Sequence, residues 1–244
     1  MTGTDATEHE HVPASEELTH DHDFAAANQK HFDAEAKAFD VKPQAIELAR
    51  RVSKAILATH PALFDEDSTA VMDFACGTGL LSRELAPHVK SILGVDISQG
   101  MVDQYNYRVD NQGIPREEMQ AVRVELKGDG AELDGRKFDV IVCAASYHHI
   151  LDTDEITRIL TTFLRPTGSL IIADILKNEN SKGRELLEDF KHVVPHKSGF
   201  TEATMRANFE QAGLKGFEFT NATKASLHGV EVDFFLARGW KIEN

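Results

Sequence analysis

Positive charge is scarce in this chain. Its 26 Lys and Arg residues stand against 40 Asp and Glu, a formal net charge of −14, and no Lys/Arg-rich run occurs. Neutralising a phosphate backbone needs a basic face, so the balance argues against a nucleic-acid partner. Cysteine is almost as rare. Cys76 lies in a glycine-containing turn and Cys143 in an apolar run, and two are too few for a disulfide framework. They suit a reducing compartment, so the expected location is the cytoplasm, with the nucleus as a second compartment. No apolar run approaches the roughly 20 residues of a membrane-spanning helix. Residues 1–29 hold no Lys or Arg, the reverse of an Arg-rich import presequence. No internal repeat is found.

What is present is enough for one sizeable core. With 41% hydrophobic residues over 244 positions, the chain reads as a single α/β domain with an appendage. Residues 1–23 are acidic and carry His9, His11, His20 and His22, a composition that predicts a disordered tail. A metal site there would lack fixed geometry, and no metal is expected elsewhere either. From Phe24 to Phe39 the pattern turns helical, and a second helix is expected from Pro43, a residue suited to a first turn. Residues 24–62 thus form an N-terminal helical segment ahead of the main domain at 63–244.

The main domain is organised around Val71–Leu81. Ala70 to Phe74 reads as a buried strand, Leu80 to Leu85 as the start of a helix, and Ala75-Cys76-Gly77-Thr78-Gly79 as a tight turn of small residues between them. Strand, glycine turn and helix make a nucleotide-sized cradle. It is not a dinucleotide fingerprint, because Ser82 stands where a third glycine belongs. Asp73 at the strand end would crowd a pyrophosphate but suits a cation, which points to a ligand with an ammonium and a sulfonium: S-adenosylmethionine. About twenty residues on, Ser91 to Val95 is a second apolar strand ending in Asp96, spaced to grip two ribose hydroxyls.

These stretches, with Gly94-Val-Asp-Ile-Ser-Gln-Gly-Met101 and Phe138-Asp-Val-Ile-Val-Cys-Ala-Ala, resemble the class I S-adenosylmethionine-dependent methyltransferases over roughly residues 30–238. The branch they are most similar to is the small-molecule one of ubiquinone and menaquinone biosynthesis. Ala75 departs from the family's usual glycine, a small-for-small exchange. The resemblance implies a Rossmann-like fold. Its seven-stranded, mostly parallel sheet has order 3-2-1-4-5-7-6, with the last strand antiparallel, under an N-terminal helical cover. It implies S-adenosylmethionine as cofactor and S-adenosylhomocysteine as product. The cofactor contacts it implies are Phe39, Asp73, Ala75, Cys76, Gly77, Gly79, Asp96, Ile97, Ser98, Met101, Asp129, Gly130 and Ala144. Among these, Asp129 is expected at the adenine amino group or else as a solvated turn residue, Met101 beside the adenine or else in the core.

The fourth strand ends at Ala144-Ala145-Ser146-Tyr147-His148-His149, on the edge where open α/β sheets do their chemistry. No Asn-Pro-Pro-Tyr-type motif occurs there, which removes adenine in DNA and glutamine side chains as substrates. His148 and His149 are the candidate catalytic residues, as general base or as substrate-orienting groups, with a structural role as the alternative. Phe32, Tyr147, His192 and His196 are candidate substrate contacts, the last two in a polar insertion around residues 177–200 read as a lid. His192 and His196 stand four apart, but Pro195 between them breaks any helix that would make them a metal pair. The expected activity is methyl transfer to a small-molecule acceptor by in-line displacement. A protein methyltransferase and a silent cofactor-binding regulator are the alternatives. The sequence leaves open whether the chain is a monomer or a homodimer.

Overall fold

The structure is a computed structural model describing residues 23–129, 131–177, 190–227 and 230–242. The acidic tail therefore lies outside the described residues apart from Asp23. Of the lid stretch 177–200, residues 178–189 also lie outside.

Five strands run parallel: β1 (Ala70–Phe74), β2 (Ser91–Asp96), β3 (Met119–Arg123), β4 (Phe138–Ala144) and β5 (Leu164–Ile175). The sheet is completed by β6 (Gly216–Leu227) and β7 (Val230–Trp240), with β7 antiparallel to both neighbours and the order β3-β2-β1-β4-β5-β7-β6. Strand order and orientation are those the family resemblance implies. The middle strands are apolar on both faces, because both are covered: the consecutive Val71 and Met72 of β1 and Val140, Ile141 and Val142 of β4 are all buried. On one face α5 (Thr153–Thr162) and α6 (Glu202–Gln211) set Leu160, Met205 and Phe209 against Ile141 and Ile172. On the other, α2 (Pro43–Thr59) and α3 (Leu80–Leu85) set Val52, Ile56 and Leu85 against Val71 and Leu236. No helix among the described residues is long and apolar enough to cross a membrane.

Helix starts follow their caps. Ser98 accepts from Met101 N–H at the head of α4 (Gln99–Asn111), and Thr201 accepts from Thr204 N–H at the head of α6, the role for which Ser and Thr side chains are suited. α5 starts at Thr153, because the Asp152 side chain accepts from Glu155 N–H. β5 begins at Leu164, through a distorted stretch where Thr167 is left-handed (φ 64°) and the register with β4 shifts. The Pro-Thr-Gly turn signal sits inside this irregular strand.

α1 (Phe24–Phe39) crosses the head of α4 and is fastened there by two acids. Asp33 Oδ1 accepts from Ser98 Oγ at 2.6 Å and from Gly100 N–H at 2.9 Å. The buried Asp40 carboxylate, just past the helix end, accepts from Arg83 at 3.1 Å, Gln104 at 3.2 Å and Arg108. These bonds hold the helical cover over the C-terminal edge of β1, β2 and β4.

Candidate active site

The turn after β1 is built from left-handed backbone. Ala75 (φ 55°), Gly77 (φ 53°) and Gly79 (φ 80°) all lie there. Ala75 keeps the conformation that glycine takes without strain, at a cost of about 1–2 kcal/mol. A side chain at Gly79 would come within 2.5 Å of the Tyr105 ring, so that position admits only glycine. Above Gly77 the nearest side-chain atom is Met101 Sδ at 3.9 Å, which leaves the backbone approachable.

The end of β2 closes on this turn. Asp96 accepts from Gly77 N–H at 2.8 Å and from Ser98 N–H at 2.9 Å, so its carboxylate is fixed at the lip. Cys76 N–H donates to the Val95 carbonyl at 3.2 Å, and the Cys76 side chain is buried, with its thiol pushed up by burial. Ile97 is half-buried beside Asp96, and its carbonyl accepts from Arg123 at 3.1 Å. The structure thus brings Asp73, Ala75, Cys76, Gly77, Gly79, Asp96, Ile97, Ser98 and Met101 to one sheet edge. Asp33, which ties Ser98 and Gly100 to the cover, escaped the sequence reading because nothing local marks an acid on α1 as a partner of a loop 65 residues away.

Two carboxylates meet here without a cation. Asp73 is buried and accepts from Ser82 Oγ at 2.6 Å; burial, aided by the nearby Asp96, pushes it up to about 7. Burial also raises Asp96, against the N–H bonds it accepts. Among the described residues neither acid has an ion-pair partner, and Thr78 Oγ1 in the same turn is buried without a hydrogen-bond partner. A ligand bringing positive charge and hydroxyl donors fits this pair, and S-adenosylmethionine carries both.

The remaining cofactor candidates are less tightly placed. Phe39 at the end of α1 meets the Phe32 ring edge-on at 6.4 Å and carries Lys42 Nζ 5.6 Å above its face. Ala144 is half-buried at the end of β4. Asp129 is exposed in a turn, where its Oδ1 accepts from Ala131 N–H at 2.8 Å, while Glu132 accepts the N–H groups of Lys127 and Gly128. Gly130 lies outside the described residues.

Beyond β4 the chain makes a single 3-10 turn, Tyr147–His149. Tyr147 is wholly buried; its hydroxyl bonds the Thr153 carbonyl at 3.2 Å and Thr157, and its ring packs on Phe200. The structure therefore gives Tyr147 a place in the core in place of the expected substrate contact. His148 is clasped by Asp174 at the end of β5: Nδ1 lies 2.7 Å from Oδ1, and the His148 N–H donates to Oδ2 at 3.2 Å. Burial would raise Asp174, but His148 and these N–H groups hold it below the usual carboxylate range. Asp174 was not singled out from the sequence, where it is simply the polar last residue of an apolar strand. His149 Nδ1 lies 2.9 Å from the Val193 carbonyl, and burial together with His148 pushes the ring down to about 3, so it is neutral.

Aromatic rings from three segments converge on the pair. The rings of His148 and His149 are 4.3 Å apart, and Phe32 meets His149 edge-on at 5.3 Å. His31 lies 6.0 Å from His192 and 6.5 Å from Phe190. His192 is exposed, and His196 is turned to the Leu151 carbonyl, 3.1 Å from Nε2. Asn28 of α1, also missed in the sequence, is buried with Nδ2 near the carbonyls of Phe24 (2.8 Å), Val193 (2.9 Å) and His149 (3.3 Å), and its Oδ1 has no partner.

A family model described as a methyltransferase domain matches residues 45–218. An uncharacterized methyltransferase of Schizosaccharomyces pombe is 38% identical over 163 residues, covering 65% of this chain and 57% of that protein. A ubiquinone biosynthesis O-methyltransferase of Coxiella burnetii is 28% identical, covering 44% of each. The chain thus spans roughly half the length of these relatives. Among solved structures, magnesium protoporphyrin IX methyltransferase from Synechocystis, with bound S-adenosylhomocysteine, superposes with a TM-score of 0.64. It is 17% identical, and the match covers 90% of this chain and all of that one. The N-methyltransferase NodS of Bradyrhizobium japonicum, also with S-adenosylhomocysteine, gives a TM-score of 0.62 at 15% identity, covering 89% of this chain and all of that one.

Proposed function

We propose, from the premise that this chain belongs to the methyltransferase-domain family, that it transfers a methyl group from S-adenosylmethionine to a small-molecule acceptor. The observation that carries the reading is the uncompensated acid pair, Asp73 and Asp96, beside a left-handed glycine turn. When bound, S-adenosylmethionine supplies an electrophilic methyl group on a positively charged sulfur. The chain's own work is to bind, align and keep water out. Asp96, held by Gly77 and Ser98, accepts the two ribose hydroxyls. Asp73 supplies the negative charge that a cationic ligand needs. The turn backbone from Ala75 to Gly79 sets the ligand's depth, and alignment of this kind can contribute several kcal/mol of barrier reduction, up to about 7–11 in the best cases.

A small acceptor is favoured by the enclosure around His148 and His149. Phe32 from the cover, and Phe190 and His192 from the stretch after β5, come together there with His31 and His149 as a ring-lined wall suited to a compact molecule. His192 and His196 lie at its rim in this reading. Incubation of the protein with methyl-labelled S-adenosylmethionine and a metabolite extract tests it. Label in the small-molecule fraction is expected. Label confined to added protein would establish a protein methyltransferase instead, and no transfer despite cofactor binding would indicate a silent regulator.

A further inference from the structure

Each histidine of the pair has two ring nitrogens, and the structure spends one of each. An ionised carboxylate and a backbone carbonyl only accept hydrogen bonds, so Nδ1 of His148 carries a hydrogen toward Asp174 and Nδ1 of His149 carries one toward Val193. In a neutral ring that leaves Nε2 as a bare acceptor on both. Asn28 repeats the pattern: Nδ2 is engaged with backbone carbonyls, the Val193 carbonyl among them, and the unpartnered atom is the acceptor Oδ1. Asp174 is itself over-determined, accepting from His148 N–H and from Ile175 N–H (2.6 Å) besides the ring. Every donor is taken, and what remains is lone pairs.

We infer that Asp174 is a positioning residue that makes the histidine pair an acceptor-only patch, so that the methyl acceptor brings its own proton, on a hydroxyl or an amine, and is not a carboxylate or phosphate. The inference rests on the methyltransferase reading above. Lone pairs facing an anion leave both sides unpaired and desolvated, which costs free energy; facing an O–H or N–H they are satisfied. The step balances. The acceptor's oxygen or nitrogen lone pair forms the bond to the methyl carbon, and its proton passes to His148 Nε2. The carbon–sulfur bonding pair stays on sulfur, which becomes neutral as the imidazole becomes cationic. That new charge arises 2.7 Å from the Asp174 carboxylate. His149 has no such counter-charge, since its Nδ1 faces a neutral carbonyl and burial holds the ring neutral. Of the two, His148 is therefore the proton acceptor, and His149 aligns.

Long-range proton–nitrogen correlation spectra of the nitrogen-15-labelled full chain at pH 8 read the tautomer directly, with His148→Gln and His149→Gln used for assignment. The expected result is Nδ1–H with bare Nε2 for both rings. A wild-type His148 carrying its hydrogen on Nε2, alone or with Nδ1, overturns the inference. In Asp174→Asn, His148 should leave the pure Nδ1–H form while His149 stays in it and S-adenosylhomocysteine affinity stays within about twofold. If that variant fails to fold, the wild-type spectrum decides alone. The chemical class has its own readout in the labelled product. Methyl ethers and methylamines survive mild base, which the inference expects, whereas a methyl ester releases its label as methanol and would contradict it. S-Adenosylhomocysteine binding without any transfer would count against the methyltransferase reading, and the tautomer would still judge Asp174.

Discussion

Asp73 and Asp96 are adjacent acids with different tasks, and substitution separates them. Asp96 sits at the lip with both oxygens held by N–H donors, and on the proposed reading Asp96→Ala removes the bonds to the ribose hydroxyls without opening the core. S-Adenosylmethionine binding should weaken by about 1.5–3 kcal/mol, the usual worth of bonds to a charged group. Unchanged affinity in a folded variant would remove Asp96 from the ribose. Asp73 is instead buried beneath the turn, and burial together with the nearby Asp96 pushes it up to about 7 against the hydrogen bonds from Ser82. A cation stabilises the ionised form, so affinity should rise between pH 6 and pH 8, and binding below pH 7 should release protons. For the free protein the sign reverses. A carboxyl whose folded value exceeds its ordinary 3.8 favours folding below about pH 4, and that contribution is lost as pH rises through 7, on the order of 4 kcal/mol in all. Asp73→Asn should therefore melt above wild type at pH 8 while binding the cofactor more weakly. Melting curves and calorimetry on one preparation check both halves, and a variant that melts lower would show that Asp73 is not held against its charge.

At the scale of elements, α1 matters most to the site. It brings Asn28, Phe32 and Phe39, and its hold on α4 is polar. Asp40→Ala leaves Arg83 and Arg108 without their carboxylate, but both remain partly exposed, so the loss should fall near the lower end of the 3–5 kcal/mol typical of a broken buried pair. Denaturant melts would measure it, and a change below about 1 kcal/mol would mean that apolar packing alone holds the helix. The bounds of α1, α3 and β4 were legible in the sequence, because apolar periodicity and clear breaks such as Pro43 and the glycine turn mark them. β2 likewise ends where its aspartate said it would. The start of β5 was not legible, since Pro166 and Gly168 advertise a turn while β4 pairing draws the chain into the sheet. The site divided in the same way. Its turn residues carry a sequence signature, whereas Asp33, Asp174 and Asn28 act through contacts 26 to 165 residues away, which no local pattern records. Tyr147 was misread because its neighbours in sequence face the site, while the 3-10 turn points its ring inward.

Over the whole molecule, the sheet order decides what can meet. Because β1 and β4 are central neighbours, the glycine turn after β1 and the histidine pair after β4 open on one edge, with Asp96 of β2 to one side and Asp174 of β5 to the other. In the proposed reading the cofactor residues lie on the β1–β2 side and the acceptor residues on the β4–β5 side, the layout in-line transfer requires. The missing third glycine and the paired acids at the cofactor end favour a cationic nucleoside over a dinucleotide pyrophosphate. Titration calorimetry of the full chain at pH 8 with S-adenosylmethionine, S-adenosylhomocysteine and NAD in turn addresses that choice directly. The first two should bind at a single site and NAD should give no signal; NAD binding at comparable strength, with no heat from S-adenosylmethionine, would contradict it.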